Sequence, residues 1–104
     1  ALGTIDYYDK VSALDPVATD YARLFMLPGV LHCGGGPGPD EVDWLTAIAA
    51  WVEQDAAPVR LVATKWSGPG GQGLTRPVCA YPQVAAYGES GATDDEANFR
   101  CQAP

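Results

Sequence analysis

The apolar positions change rhythm along the chain, and the changes mark out elements. Ile5, Tyr8 and Val11 recur at helical spacing, Thr4 stands where an N-cap oxygen would, and Asp6 lies near the positive end of the dipole. With Asp15-Pro16 as the stop, the pattern predicts a helix from Thr4 to about Leu14. Tyr21 to Leu27 is a short, nearly continuous apolar run ended by Pro28-Gly29, the pattern of a strand covered on both faces in a parallel sheet. Helical spacing returns with Trp44, Leu45, Ile48, Trp51 and Val52, which reads as a core-facing side. Asp40 is the predicted N-cap, with Pro39 before it and Glu41 and Asp43 in the first turn. Ala57-Pro58 ends that helix, and Val59 to Trp66 reads as a second strand with Arg60 and Thr64 on one face.

The order helix, strand, helix, strand predicts an α/β architecture, yet two strands and two helices do not complete a doubly wound sheet. Something is expected to pack beside them. From Ser67 onward GPGGQG, RPV and YPQ predict an irregular tail, about residues 67 to 104, lying over the surface. The whole of residues 1–104 then reads as a single partial domain.

Composition narrows the classes. A chain of 104 residues buries only roughly 60 to 65% of its unfolded surface, a thin margin for stability. With 47% hydrophobic residues it is globular, and no apolar run approaches the roughly 18 residues of a membrane span, so no membrane partner is expected. A net charge of -7 with six Lys and Arg residues, none clustered, argues against a phosphate backbone, so nucleic acid is not expected either. The chain opens Ala-Leu-Gly-Thr with no basic segment leading into an apolar one, so no signal peptide is visible. Cys33, Cys79 and Cys101 give an odd count, which in an oxidised protein means one bridge and a thiol paired elsewhere.

The candidate chemistry gathers where the first apolar run ends. LHCGGGPGP, residues 31 to 39, carries the only histidine of the chain, His32, on a glycine-proline loop. A phosphate cradle is excluded: GGGPGP matches neither dinucleotide nor Walker pattern, and Pro37 and Pro39 offer no N–H. Zinc is excluded because neighbouring residues such as His32 and Cys33 rarely ligate one ion and nothing completes a tetrahedral set. HCGGG has some likeness to the HGGG oxyanion loop of lipases, but no G-x-S-x-G follows. Gly88-Glu89-Ser90-Gly91-Ala92 fails at its last position, Ser12 lies in a predicted helix and Ser67 opens a turn. A lone histidine is often structural. Against that, α/β-hydrolases carry their base histidine on a loop between a late strand and a helix, the layout of residues 21 to 52.

Four stretches carry a resemblance: IDYYDKV at 5–11, RLFMLPGVLHCGGGPGPDEVD at 23–43, AIAAWVEQDAAPVRLVATK at 47–65 and TRPVCAYPQVAAYGESGATDDEANFRC at 75–101. Together they resemble the C-terminal part of the tannase and feruloyl esterase family. The resemblance implies the C-terminal portion of an α/β-hydrolase fold, from a secreted or periplasmic serine hydrolase that cleaves carboxylic esters of aromatic acids. It implies that His32 is the catalytic base, that Cys33 forms a disulfide to an absent segment next to the nucleophile, and that Cys79 and Cys101 form a disulfide fastening the tail. Such a bridge stabilises by roughly 3 kcal/mol in the chain-entropy model.

The chain departs from the family pattern in holding no Cys-Ser pair and no nucleophile elbow. The triad acid is expected a few residues upstream of Ala1, so neither Asp6 nor Asp9 is assigned. No cofactor is expected in this segment, since the family's calcium site belongs to an absent lid domain. The partners implied are the remainder of the parent hydrolase and an aromatic carboxylic ester. Alone, the chain is expected to be inactive and to self-associate through uncovered apolar surface. The competing reading is a small secreted, non-catalytic binding module, its three tryptophans and five tyrosines forming an aromatic-rich surface.

Overall fold

The computed structural model describes residues 1–69 and 73–104. Helix α1 spans Leu2–Leu14. It begins two residues before the predicted cap: Thr4 lies inside the first turn, its N–H donating to the Ala1 carbonyl at 3.1 Å. Lys10 and Asp6 add an i,i+4 pair at 2.7 Å. The helix stops at Asp15, whose N–H still reaches the Val11 carbonyl before Pro16 forbids continuation. Tyr8 docks it on the rest of the molecule, its hydroxyl donating to the Ala22 carbonyl at 3.1 Å and its ring edge-on to Tyr81 at 6.0 Å.

The second helix, α2, spans Trp44–Gln54 and is capped by Asp43, not Asp40. Asp43 Oδ1 accepts the Thr46 N–H at 3.0 Å. Asp40 is drawn away from capping because the two residues after it form a strand, β1 (Glu41–Val42). This pairs antiparallel with β2 (Arg60–Lys65), Glu41 opposite Thr64 and Val42 opposite Ala63. Asp55 in the left-handed conformation, φ 55°, closes the helix before Ala57-Pro58.

Two further expectations fail. Tyr21–Leu27 is not a strand of a parallel sheet: it makes one antiparallel bridge, Phe25 to Ala80, beside a Tyr81 N–H to Leu24 carbonyl bond of 2.8 Å. Ala80 and Tyr81 run opposite to it and meet it only there, so no ladder forms. Nor is the tail irregular. It holds β3 (Leu74–Cys79), β4 (Val84–Tyr87) and β5 (Phe99–Gln102). β3 pairs with β2 over six residues, from Arg60–Cys79 to Lys65–Leu74, and β4 pairs with β5. The sheets have order β1-β2-β3 and β4-β5, and every ladder among the described residues is antiparallel. The mixture of helix and strand is compatible with an α/β protein.

The Cys79–Cys101 disulfide, Cα to Cα 5.7 Å, joins the end of β3 to β5 and so one sheet to the other. Beside it Arg60 pairs with Glu96 and the Arg76 guanidinium lies 4.4 Å from the Phe99 ring centre. Among the described residues the buried apolar side chains are few and small: Ala18, Ala63, Pro77, Val78, Cys79 and Ala80. The expected core side of α2 is not core within this chain, since Leu45 and Val52 are 78% and 77% exposed.

Candidate active-site loop

Residues 28–40 leave the apolar run and return to β1, and both stems are pinned. The incoming stem is held by the Phe25–Ala80 bridge and the outgoing one by β1 on β2. Phe25 and Trp44 meet edge-on at 6.1 Å across the base. Pro28 and Pro39 line an apolar cleft of about 270 Å³ with Leu27, Leu74, Val78 and Phe99.

Between the stems the chain folds back on itself. The Gly38 N–H donates to the Gly29 carbonyl at 2.9 Å, and the Leu31 N–H to the Gly35 carbonyl at 3.1 Å. At the tip, the Gly34 N–H reaches the Leu31 carbonyl at 3.2 Å, a β-turn whose two central residues are His32 and Cys33. Cys33 takes the left-handed place at φ 69°. His32 is thus presented, exposed, on the outermost turn, with Nδ1 2.8 Å from the Cys33 sulfur.

Gly29, Gly34, Gly35 and Gly36 take positive φ, and two of the loop's glycines also serve close contact. A Cβ on Gly36 would run into the Gly29 carbonyl oxygen, and one on Gly38 into that of Pro28. The backbone needs hydrogen at these two positions because two limbs of the loop lie in contact.

Asp40 is the residue the sequence reading misplaced. One carboxylate oxygen accepts the Gly35 N–H at 2.5 Å and the other the Lys65 ammonium at 3.1 Å, strapping the loop to the last residue of β2. The Gly35 N–H first, and Lys65 after it, hold the Asp40 carboxyl below its ordinary value of 3.8. Trp66 reinforces the same edge, its Nε1–H donating to Glu41 at 2.6 Å.

The other expected site residues lie as follows. Cys33 is a free, exposed thiol, while Cys79 and Cys101 are bonded to each other in the tail. Ser90 belongs to the turn after β4, where the Tyr87 hydroxyl donates to the Gly91 carbonyl at 2.7 Å. Ser12 lies in α1 with its Oγ buried and unpartnered. Among the described residues no group of three His, Cys, Asp or Glu side chains is placed to hold a metal ion.

Comparison with known proteins decides the family of the chain. The family model for tannase and feruloyl esterase matches residues 1–102. The chain belongs to the tannase and feruloyl esterase family. Among curated relatives, the mono(2-hydroxyethyl) terephthalate hydrolase of Piscinibacter sakaiensis is 52% identical over 108 residues, which cover 100% of this chain and 18% of that protein. A probable feruloyl esterase of Arthroderma benhamiae is 39% identical over 79% of this chain and 16% of its own length. The solved structure of an esterase from Aspergillus oryzae superposes with a TM-score of 0.80 at 27% identity, over 95% of this chain and 24% of that one. The chain thus spans about a fifth of the length of the tannase-family relatives it matches.

Proposed function

We propose that this chain is the histidine-bearing segment of a longer serine hydrolase that cleaves carboxylic esters of aromatic acids, with His32 as the general base. The observation that carries the reading is the presentation of the single histidine on the tip of a turn held by Asp40, two proline stems and two close-contact glycines. A structural histidine has no need of such a mounting. The substrate class is supported by the relatives' names: feruloyl and terephthalate esters share an aromatic acyl group.

In this reading His32 Nε2 takes the proton of a serine hydroxyl as its oxygen adds to the ester carbonyl, then returns that proton to the departing alcohol. Water repeats the cycle on the acyl-serine. Nε2 is a base only when the ring proton sits on Nδ1, which here faces the Cys33 sulfur. In the complete hydrolase Cys33 is bridged to a cysteine beside the serine, freeing Nδ1 for the triad acid. The nucleophile lies outside these residues, which hold no Cys-Ser pair. A secreted or periplasmic location follows from the disulfide chemistry.

The test grafts residues 1–104 onto the upstream part of the terephthalate hydrolase in place of its matching segment and assays an aryl or hydroxycinnamoyl ester. The isolated chain is expected to show no turnover beyond that of free imidazole. In the active chimera, His32→Ala should lower kcat by about 10⁴- to 10⁶-fold. A His32→Ala chimera within tenfold of its parent would sink the assignment.

A further inference from the structure

Beside the stems of the His32 loop, the cleft of about 270 Å³ holds a cation that the catalytic reading leaves unused. Leu74, Arg76 and Val78 alternate along β3, so their side chains share the face that meets Leu27, Pro28 and Pro39. Leu74 and Val78 suit an apolar wall. Arg76 puts a guanidinium into it.

Arg76 is half-buried and fixed by two contacts. Its Nη1 donates to the Thr75 carbonyl at 2.8 Å, and its planar head lies 4.4 Å from the centre of the Phe99 ring. The chain has 13 acidic residues to six basic ones, and Lys10, Arg60 and Lys65 each pair with a carboxylate. Among the described residues Arg76 pairs with none. These contacts leave the Nε–Nη2 edge of the guanidinium, which is built to donate two parallel N–H bonds to one carboxylate. Partial burial makes that attraction stronger than on open surface.

The rest of the wall specifies the body of the ligand. Pro28, Pro39 and Pro77 present rigid rings and Phe99 an aromatic one, surfaces that suit a flat apolar group. Sites for drug-sized ligands run from roughly 300 Å³ upward, so this cleft takes something smaller, a single ring. The geometry points to a binding site for an aromatic monocarboxylate, its ring in the cleft and its carboxylate on Arg76. The same class is the acyl product of the activity proposed above, so the cleft would hold released acid against the stems of the His32 loop. That link rests on the proposed activity; the site itself does not.

The probe is benzoate, titrated into the isotope-labelled chain and read from the amide resonances of Leu74, Arg76, Val78 and Phe99. These should move together with a Kd of about 1 mM, as suits a ligand of about nine non-hydrogen atoms in a half-open cleft. Benzamide keeps the ring and loses the charge, and acetate keeps the charge and loses the ring. Each should bind about tenfold more weakly or worse. Arg76→Gln should weaken benzoate about tenfold and leave benzamide unchanged. Ala85 is exposed, so Ala85→Leu fills the cleft from β4 without crowding the fold and should abolish benzoate binding with Arg76 intact. In the chimera, saturation transfer to the benzoate ring protons should fall in Ala85→Leu as it does in the isolated chain. Shifts only at residues away from the cleft, no shift at about 20 mM benzoate, or benzamide binding as well as benzoate overturns the proposal. So does a chimera in which Ala85→Leu changes nothing, since the cleft is then filled by the rest of the hydrolase. None of these readings uses turnover, so the site stands or falls apart from the role of His32.

Discussion

Replacing both Cys79 and Cys101 by alanine should remove more stability than any other pair of exchanges in the tail. The two cysteines are 22 residues apart in sequence, and closing a loop of that length lowers the unfolded chain's entropy by an amount worth about 3.4 kcal/mol at 25 °C. The remaining ties between the tail and the β1-β2-β3 sheet are weaker. The Arg60–Glu96 pair is partly exposed, and such pairs contribute about 0.2–1 kcal/mol. The Arg76–Phe99 contact adds roughly 0.5–1 kcal/mol. The Thr75 N–H to Asp94 carbonyl bond of 2.9 Å contributes a further ~1 kcal/mol. Since β4 and β5 pair mainly with each other, and a two-stranded hairpin is marginal alone, the disulfide is what keeps them on the sheet.

Urea unfolding of the oxidised chain against the double variant should show a loss of about 3 kcal/mol, or roughly 12 to 24 °C in Tm for a domain of this size. Wild type under a reductant should match the variant. Hydrogen exchange should show where the loss falls: amides of Val84–Tyr87 and Phe99–Gln102 should lose protection first, and those of Arg60–Lys65 last. A stability change below about 1 kcal/mol, or uniform loss of protection, would refute the argument that the bridge acts chiefly by holding one sheet to the other.

Two further predictions concern the loop and α1. Gly38→Ala should destabilise by about 1–3 kcal/mol because its Cβ meets the Pro28 carbonyl oxygen, whereas Gly3→Ala, with open space around it in α1, should stabilise by roughly 0.5–1 kcal/mol; equal effects in denaturant titrations would contradict the close-contact account. Asp40 has a folded pKa below its ordinary 3.8, so its contribution is present above that value and lost as pH falls from 3.8 through the lower folded one. The Gly35 amide resonance should follow that titration, and in Asp40→Asn it should not titrate. In the chimera Asp40→Asn should lower kcat by up to about a hundredfold with little change in KM, since it positions His32 rather than binding substrate. A pH-independent Gly35 amide in the wild type would end this account.

What the sequence made legible was what local patterns determine. α2 and β2 could be placed because their periodicity is strong and Ala57-Pro58 separates them, and the stop of α1 is written in Asp15-Pro16. What escaped was pairing. β3 contains Pro77, and a proline demotes a strand when only sequence is read; in the fold β3 is an edge strand of the β1-β2-β3 order, the place where a missing N–H is tolerated. Glu41-Val42 is too short to announce a strand, so Asp40 read as a cap. His32 was legible because it is the chain's one histidine and stands beside Cys33 in a recognisable run. Its support was not, because Lys65 lies 25 residues away from Asp40 and meets it only through the β1–β2 ladder.

The close packing of the glycine loop has a mechanistic consequence. Had GGGPGP been a slack tether, the histidine would find its serine by loop motion, and part of the binding free energy would be spent on ordering the loop. With Gly36 and Gly38 at contact distance from the opposite limb, and Asp40 fastening Gly35 to β2, the tip that carries His32 is tied down by contacts within this segment. On the proposed function, alignment of His32 with a serine then depends on how the rest of the hydrolase seats on this segment. That places the demand for precision on the interface, and Leu45 and Val52 of α2 are among the apolar side chains left exposed to meet it. Loosening the seat, by enlarging or charging residue 45, should therefore lower kcat in the complete enzyme even though that side chain never touches substrate.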